Sequence, residues 1–185
     1  MPRRSGAPAR PRGPVRSLRV RTAGLGDLPL LVEHRRRMWE DIGGRRRTDL
    51  DRADPAYRRW VRRELASHHF FAFVAERSNG RPAGSGALWL VPSQPRPGRL
   101  GRLRMPYVMS MYTDPAFRGR GVATRLVRRM VRWARDRGYA RIFLHASTMG
   151  RPVYARFGFA PGNEMRLDLA RRGRRGPGRP DPCER

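Results

Sequence analysis

The stretch that most constrains this chain is residues 105 to 146, where strand, turn, helix and strand follow one another with little spare length. "MPYVMSMYT" (105–113) reads as a strand bounded by turn signals. "DPAFRGRG" (114–121) is a turn whose end alternates arginine and glycine. Val122, Leu126, Met130 and Trp133 then recur at helical spacing over about four turns, and arginines line the rest of that helix. Gly138 ends it, as glycine commonly does just past a helix C-terminus. "ARIFLHA" (140–146) has the continuous apolar centre expected of an interior strand. The unit calls for a sheet with a helix packed on it.

The flanking segments extend this pattern. "LRVRT" (18–22) reads as a short strand, and Asp27 as the cap of a helix burying Leu28, Leu31, Val32, Met38 and Trp39 and ending at Gly43–Gly44. A second helix is expected to start with Asp54 as N-cap and Pro55 at its first position, with Tyr57, Trp60, Val61 and Leu65 on its buried side. "FFAFVAE" (70–76) and "AGSGALWLV" (83–91) flank the turn signal "RSNGRP" and read as a hairpin. "STMGRPVYARFGF" reads as a short helix, which Ser147 caps, leading to a last strand at 163–169. The order β-α-α-β-β-β-α-β-α-β describes an α/β (α+β) fold, a mixed central sheet with helices on its faces.

The 185 residues fit one domain with tails. Residues 1–16 and 170–185 are Arg-, Pro- and Gly-rich and read as a disordered basic arm and tail around a folded domain at 17–169. Net charge is +27, and all 42 basic residues are arginine. Exclusive arginine points to a GC-rich genome, but that bias alone does not account for the excess of positive charge. The excess implies attraction to polyanions. The one cysteine, Cys183, excludes a disulfide framework within the chain and suits a reducing cytoplasm. No apolar run approaches the roughly 20 residues needed to span a bilayer, so no membrane association is expected.

The turn at 118–121 has the elements of an anion site. The first amides of a helix lack internal acceptors and carry partial positive charge. Gly119 and Gly121 let the backbone approach a pyrophosphate, and Arg118 or Arg120 can add charge-assisted contacts. The spacing fits neither the P-loop nor G-x-G-x-x-G. On the turn alone, a phosphate cradle and a plain helix-starting turn both stand.

"YTDPAFRGRGVATRLV", a glycine-ended helix and then "LHASTMGRPVYARFGF" together resemble the GNAT N-acetyltransferase superfamily over about residues 18–169. Arg118-x-x-Gly121-x-Ala123 resembles its Arg/Gln-x-x-Gly-x-Gly/Ala motif, and Tyr154 before "RFGF" resembles its second block. Within the superfamily the likeness is to unassigned bacterial members with "MWEDIG" and "NEMRL". The resemblance implies the GNAT acyl-CoA N-acyltransferase fold and acetyl-CoA as acyl-donor cosubstrate, with no metal. It implies that backbone amides of Gly119, Arg120, Gly121, Val122, Ala123 and Thr124, beside Arg118, hold the pyrophosphate. Ser110, Met111 and Tyr112 would lie along the pantetheine arm, which enters where the parallel strands 105–113 and 140–146 splay.

The family's reaction is direct attack of a primary amine, on a small molecule or peptide, upon the thioester. Tyr154 matches the general acid that protonates the departing thiolate, and a phenol with a pKa of about 10 suits that task. The carboxylate that many members use as base has no counterpart on strand 105–113. His145, with an ordinary pKa of about 6.5, is a candidate base, though a core histidine satisfied by backbone is the competing reading. Glu40, Asp41 and Glu164 are the other candidates. Two alternatives come from other classes. One is a basic nucleic-acid-binding protein on a GNAT-like core, motivated by the tails and by the acid-free stretch from Arg77 to Thr113, though no stacking platform accompanies it. The other is an acyl-CoA sensor. A monomer or homodimer is expected.

Overall fold

Two apolar runs joined through Asn79–Gly80 build the centre of the sheet. In the computed structural model, which describes residues 18–95, 97, 103–165 and 167, they form β2 (Phe70–Arg77) and β3 (Pro82–Pro92). The turn closes with Gly80 N–H donating to the Arg77 carbonyl at 2.9 Å and Arg77 N–H to the Arg81 carbonyl at 3.0 Å, and Gly80 takes a φ of 76°. The other elements are β1 (Leu18–Thr22), α1 (Leu28–Ile42), α2 (Arg47–Ala66), β4 (Arg104–Thr113), α3 (Val122–Asp136), β5 (Phe143–Leu144) and α4 (Arg151–Ala155). The strands pair in the order β1-β2-β3-β4-β5, antiparallel except for β4 with β5.

Side chains alternate across β2, and both faces are covered. Phe73 and Ala75 join Leu88, Val108 and the stripe Val122, Leu126, Met130 and Trp133 of α3. Phe70, Ala72 and Val74 join Leu28, Leu31 and Val32 of α1 with Tyr57 and Val61 of α2. Each side chain fully buried in these layers contributes about 2 kcal/mol. The expected mixed sheet with a helical layer on each face is what the chain forms. Among the described residues, no helix is long and apolar enough to cross a membrane.

Three elements differ from the sequence reading. The second helix begins at Arg47, seven positions before Asp54, and carries Pro55 within it. Its extra turns are held by Leu50, which is buried, and by Arg36 of α1 donating to Asp51 at 2.7 Å and to Asp54 at 2.8 Å. These contacts outweigh the one helical hydrogen bond that a proline removes. The strand expected at 140–146 is confined to two residues. The strand expected at 163–169 is not formed by residues 163–165 or 167, and its other positions lie outside the described residues, as do the arm, the tail and Cys183. Asp27 does precede α1, but its carboxylate serves elsewhere. It accepts from Gly24 N–H at 2.9 Å and from Arg21 at 2.7 and 2.8 Å, which holds it below the usual carboxylate range.

Candidate active site

One irregularity in β4 shapes the site. Ser85 pairs with Tyr112 and Ala87 with Met109, so Ser110 and Met111 together oppose Gly86 alone. Ser110 takes a φ of 52° at this bulge. A Cβ on Gly86 would come within 2.2 Å of Met111 Sδ and 2.7 Å of Met130 Cε, so the two methionine ends occupy the space that a side chain there would need. The bulge sends Met109 toward the α1/α2 layer and Met111 toward the α3 layer, whereas regular alternation would put both on one face. Ser110 and Tyr112 reach the α1/α2 layer, where the Ser110 hydroxyl shares a 3.2 Å hydrogen bond with Tyr57 and Tyr112 packs 4.8 Å from the His34 ring.

β4 pairs with β5 only at Tyr107–Phe143 and Val108–Leu144. From Met109 onward it continues without a partner on that side among the described residues. The chain then turns at Asp114–Gly121 into α3. The first hydrogen bond of this helix runs from Arg125 N–H to the Gly121 carbonyl at 3.0 Å, so the amides of Val122, Ala123 and Thr124 precede any intrahelical acceptor. Those of Gly119, Arg120 and Gly121 donate no backbone hydrogen bond among the described residues either. Gly119 and Gly121 have φ of 70° and 82°, and a Cβ at 121 would meet nothing within 4 Å. A run of six amides without backbone acceptors, opened by left-handed glycines and headed by the positive end of a 15-residue helix, fits a diphosphate. Arg118 is already engaged, donating to the Thr113 carbonyl at 3.1 Å and to the Asp41 carboxylate.

Tyr154 of α4 is buried in the α3 layer. Its ring lies against Gly150, where a Cβ would come within 2.9 Å of Tyr154 Cε2, and 5.8 Å from the Phe159 ring. Burial, reinforced by the Tyr107 phenol, pushes its pKa up to about 12. The hydroxyl therefore carries its proton throughout the neutral range.

These elements match a known group. The model of the "Acetyltransferase (GNAT) family" matches residues 30–159. The chain belongs to the GNAT family. It is 31% identical to a predicted acetyltransferase of Clostridium acetobutylicum solved with acetyl-CoA, over 85% of this chain and 99% of that one, with a TM-score of 0.74. It is equally 31% identical to a GCN5-related N-acetyltransferase of Ralstonia eutropha JMP134, over 83% and 99%, with a TM-score of 0.73. A glucosamine 6-phosphate N-acetyltransferase of Trypanosoma brucei brucei is 32% identical over 49% of this chain, and the match spans 59% of that relative's length.

In this GNAT chain His145 is not a core histidine. It is exposed, its Nδ1 bonded to the Tyr107 hydroxyl and its Nε2 3.1 Å from Glu164 Oε1. Tyr107 was not singled out in the sequence, and nothing in its neighbours marks it; the pairing of β4 with β5 places it. Glu40 is exposed and bound by Arg36 at 3.2 Å, and Asp41 is bound by Arg118, so the two lie in ion pairs apart from the His145 chain. Ser147 is not the cap of α4, which is Gly150; its hydroxyl accepts from Gly150 N–H at 3.2 Å in the turn that precedes the helix.

His34 was also missed. It is buried, its Nδ1 sharing a 2.9 Å hydrogen bond with Ser85 Oγ, and it sits among Glu33, Arg37 and Asp114. Burial drives its pKa down to about 4. The unfolded imidazole takes a proton at about pH 6.5 while the folded one refuses it, so stability is full above that pH and falls as pH drops toward 4, by about 3 kcal/mol in all. Between pH 6.5 and 5, above the carboxylate range, the urea midpoint of the wild type is expected to fall with pH. That slope should flatten in His34→Gln, and an equal slope in both proteins would exclude His34 as its source.

Proposed function

We propose that this chain is an acetyl-CoA-dependent N-acetyltransferase acting on a primary amine of a small molecule or peptide. The observation that carries the reading is the run of amides without backbone acceptors at residues 119–124, in the turn that follows the stretch of β4 beyond its pairing with β5. The donor supplies an activated acetyl thioester. Backbone N–H groups of Gly119 to Thr124 bind its diphosphate, and the unpaired edge of β4 at Ser110, Met111 and Tyr112 lines the arm that follows. Tyr154 holds a proton on Oη and gives it to the departing sulfur as the amine nitrogen bonds to the acetyl carbon. The Tyr107–His145–Glu164 chain offers a place for the proton that the amine must lose, with His145 as acceptor. In this assignment Glu40 and Asp41 hold α1 in position and carry no proton. The single cysteine fits a cytoplasmic setting.

The test is release of CoA thiol from acetyl-CoA with a panel of amines at low and moderate salt, glucosamine 6-phosphate included because a relative carries that name. Amine-dependent release that survives moderate salt supports the reading. Acetyl-CoA binding without release to any amine would favour a sensor. Binding that any polyanion matches, and that collapses with salt, would favour nucleic acid.

A further inference from the structure

The corner between α1 and α2 holds two arginines that their surroundings leave uncompensated. The carboxylates there are already committed. Arg36 binds Glu40, Asp51 and Asp54, Arg37 binds Glu33, and Arg46 binds Asp49. Arg35 and Arg45 form no ion pair among the described residues. The Arg35 guanidinium lies 4.2 Å from the Tyr57 ring centroid and 5.9 Å from that of Trp39, and the Arg45 guanidinium lies 5.1 Å from the same Trp39 ring. Arg35 is half-buried, and desolvation lowers its pKa. Asp54 acts on it electrostatically, but Asp54 Oδ2 accepts from Arg36 at 2.8 Å.

Stacking on aromatic faces satisfies the flat of a guanidinium but leaves its in-plane N–H fork unmet. Holding such a group half out of water, with a second cation on the same ring, costs free energy that an anion would recover. The fork is not sealed in, since Asp54 Oδ1 is the one buried side-chain polar atom without a partner among the described residues. The location also matters. Tyr57, on which Arg35 stacks, bonds through its hydroxyl to Ser110 at the bulge of β4. Through Tyr57 the corner therefore reaches the stretch of β4 proposed to line the donor's arm.

We propose that Arg35, with Arg45 on the shared Trp39 ring, seats an anionic group of the amine acceptor, a phosphate or a carboxylate. The inference rests on the acyl-transfer reading and narrows its substrate to amines that carry an anion. A planar fork favours bidentate contact with either group, so matched pairs distinguish them.

The experiment uses the full chain saturated with CoA. Calorimetric binding is measured for glucosamine 6-phosphate against glucosamine, and for an α-amino acid against its amide. Turnover of the same four compounds with acetyl-CoA is measured in parallel. Wild type, Arg35→Gln and, as a control for diffuse charge, Arg132→Gln on the exposed side of α3 are compared, with Tm confirming that each variant is folded. In one pair the anionic member should bind and react at least about tenfold better, a gap typical of a charge-assisted contact. Arg35→Gln should erase that gap mainly through KM for the anionic member, and Arg132→Gln should preserve it. Equal handling of both members in both pairs, or equal loss for both in Arg35→Gln, overturns the subsite. An anion-dependent affinity that needs Arg35, without any acetyl transfer, keeps the subsite and overturns the acyl-transfer reading.

Discussion

Gly121→Asp is expected to abolish stabilisation by acetyl-CoA while leaving a folded protein. For the wild type, ligand at about 100 times its Kd should add roughly 2.7 kcal/mol to stability. In a chain of this size that is a rise of about 5–10 °C in Tm. Position 121 has a φ of 82°, and a side chain there would meet no atom within 4 Å. Aspartate therefore brings backbone strain of about 1 kcal/mol but no clash. Its carboxylate would lie among the amides that open α3, where it would compete with the diphosphate for N–H groups and repel it. Gly121→Ala separates the two effects, since it shares the strain without the charge and should keep part of the stabilisation. Thermal unfolding of the three proteins at moderate salt checks the expectation. An equal rise in all of them would return residues 118–121 to the role of a helix-starting turn.

That turn was legible in the sequence because several local signals coincide there. Gly121 and Gly138 bracket α3, and Val122, Leu126, Met130 and Trp133 mark its buried side without ambiguity. The hairpin β2–β3 was legible for the same reason. What escaped reading depends on partners distant in the chain. Asp54–Pro55 has the local form of a helix start, and only Leu50 and the ion pairs to Arg36 carry α2 back to Arg47. Met109 and Met111 have the spacing of one face, and the bulge at Ser110 that separates them shows only in the pairing with Ser85 and Ala87, on another strand. "ARIFLHA" has the composition of an interior strand, yet only Phe143 and Leu144 pair, which leaves His145 exposed beside Tyr107 and Glu164. The amides proposed to bind the donor follow from local sequence. The proposed acceptor side draws on α1, α2, β4 and the segment after β5, and so could not be read from any one stretch.

Tyr154→Phe should lower kcat by about 10²- to 10⁴-fold, the range typical of losing a positioned general acid, with KM for acetyl-CoA nearly unchanged. The substitution removes one oxygen from a ring whose place is set by packing against Gly150 and Phe159. Among the described residues the hydroxyl has no hydrogen-bond partner, so little stability should be lost and Tm should stay within a few degrees of wild type. A phenol with a pKa of about 12 holds its proton firmly, yet it can still give it to a thiolate. The acid is needed only as the carbon–sulfur bond breaks, when negative charge develops on sulfur in a partly buried site and raises its proton affinity above that of a thiolate in water. An acid whose proton stays on until that moment cannot be lost to solvent while the acceptor binds. The loss in Tyr154→Phe should accordingly be the same at pH 7 and pH 9, because the wild-type phenol is protonated at both. A folded variant with near-normal turnover would remove Tyr154 from the mechanism, and a loss that vanished at pH 9 would show that the Tyr154 proton is not the one delivered.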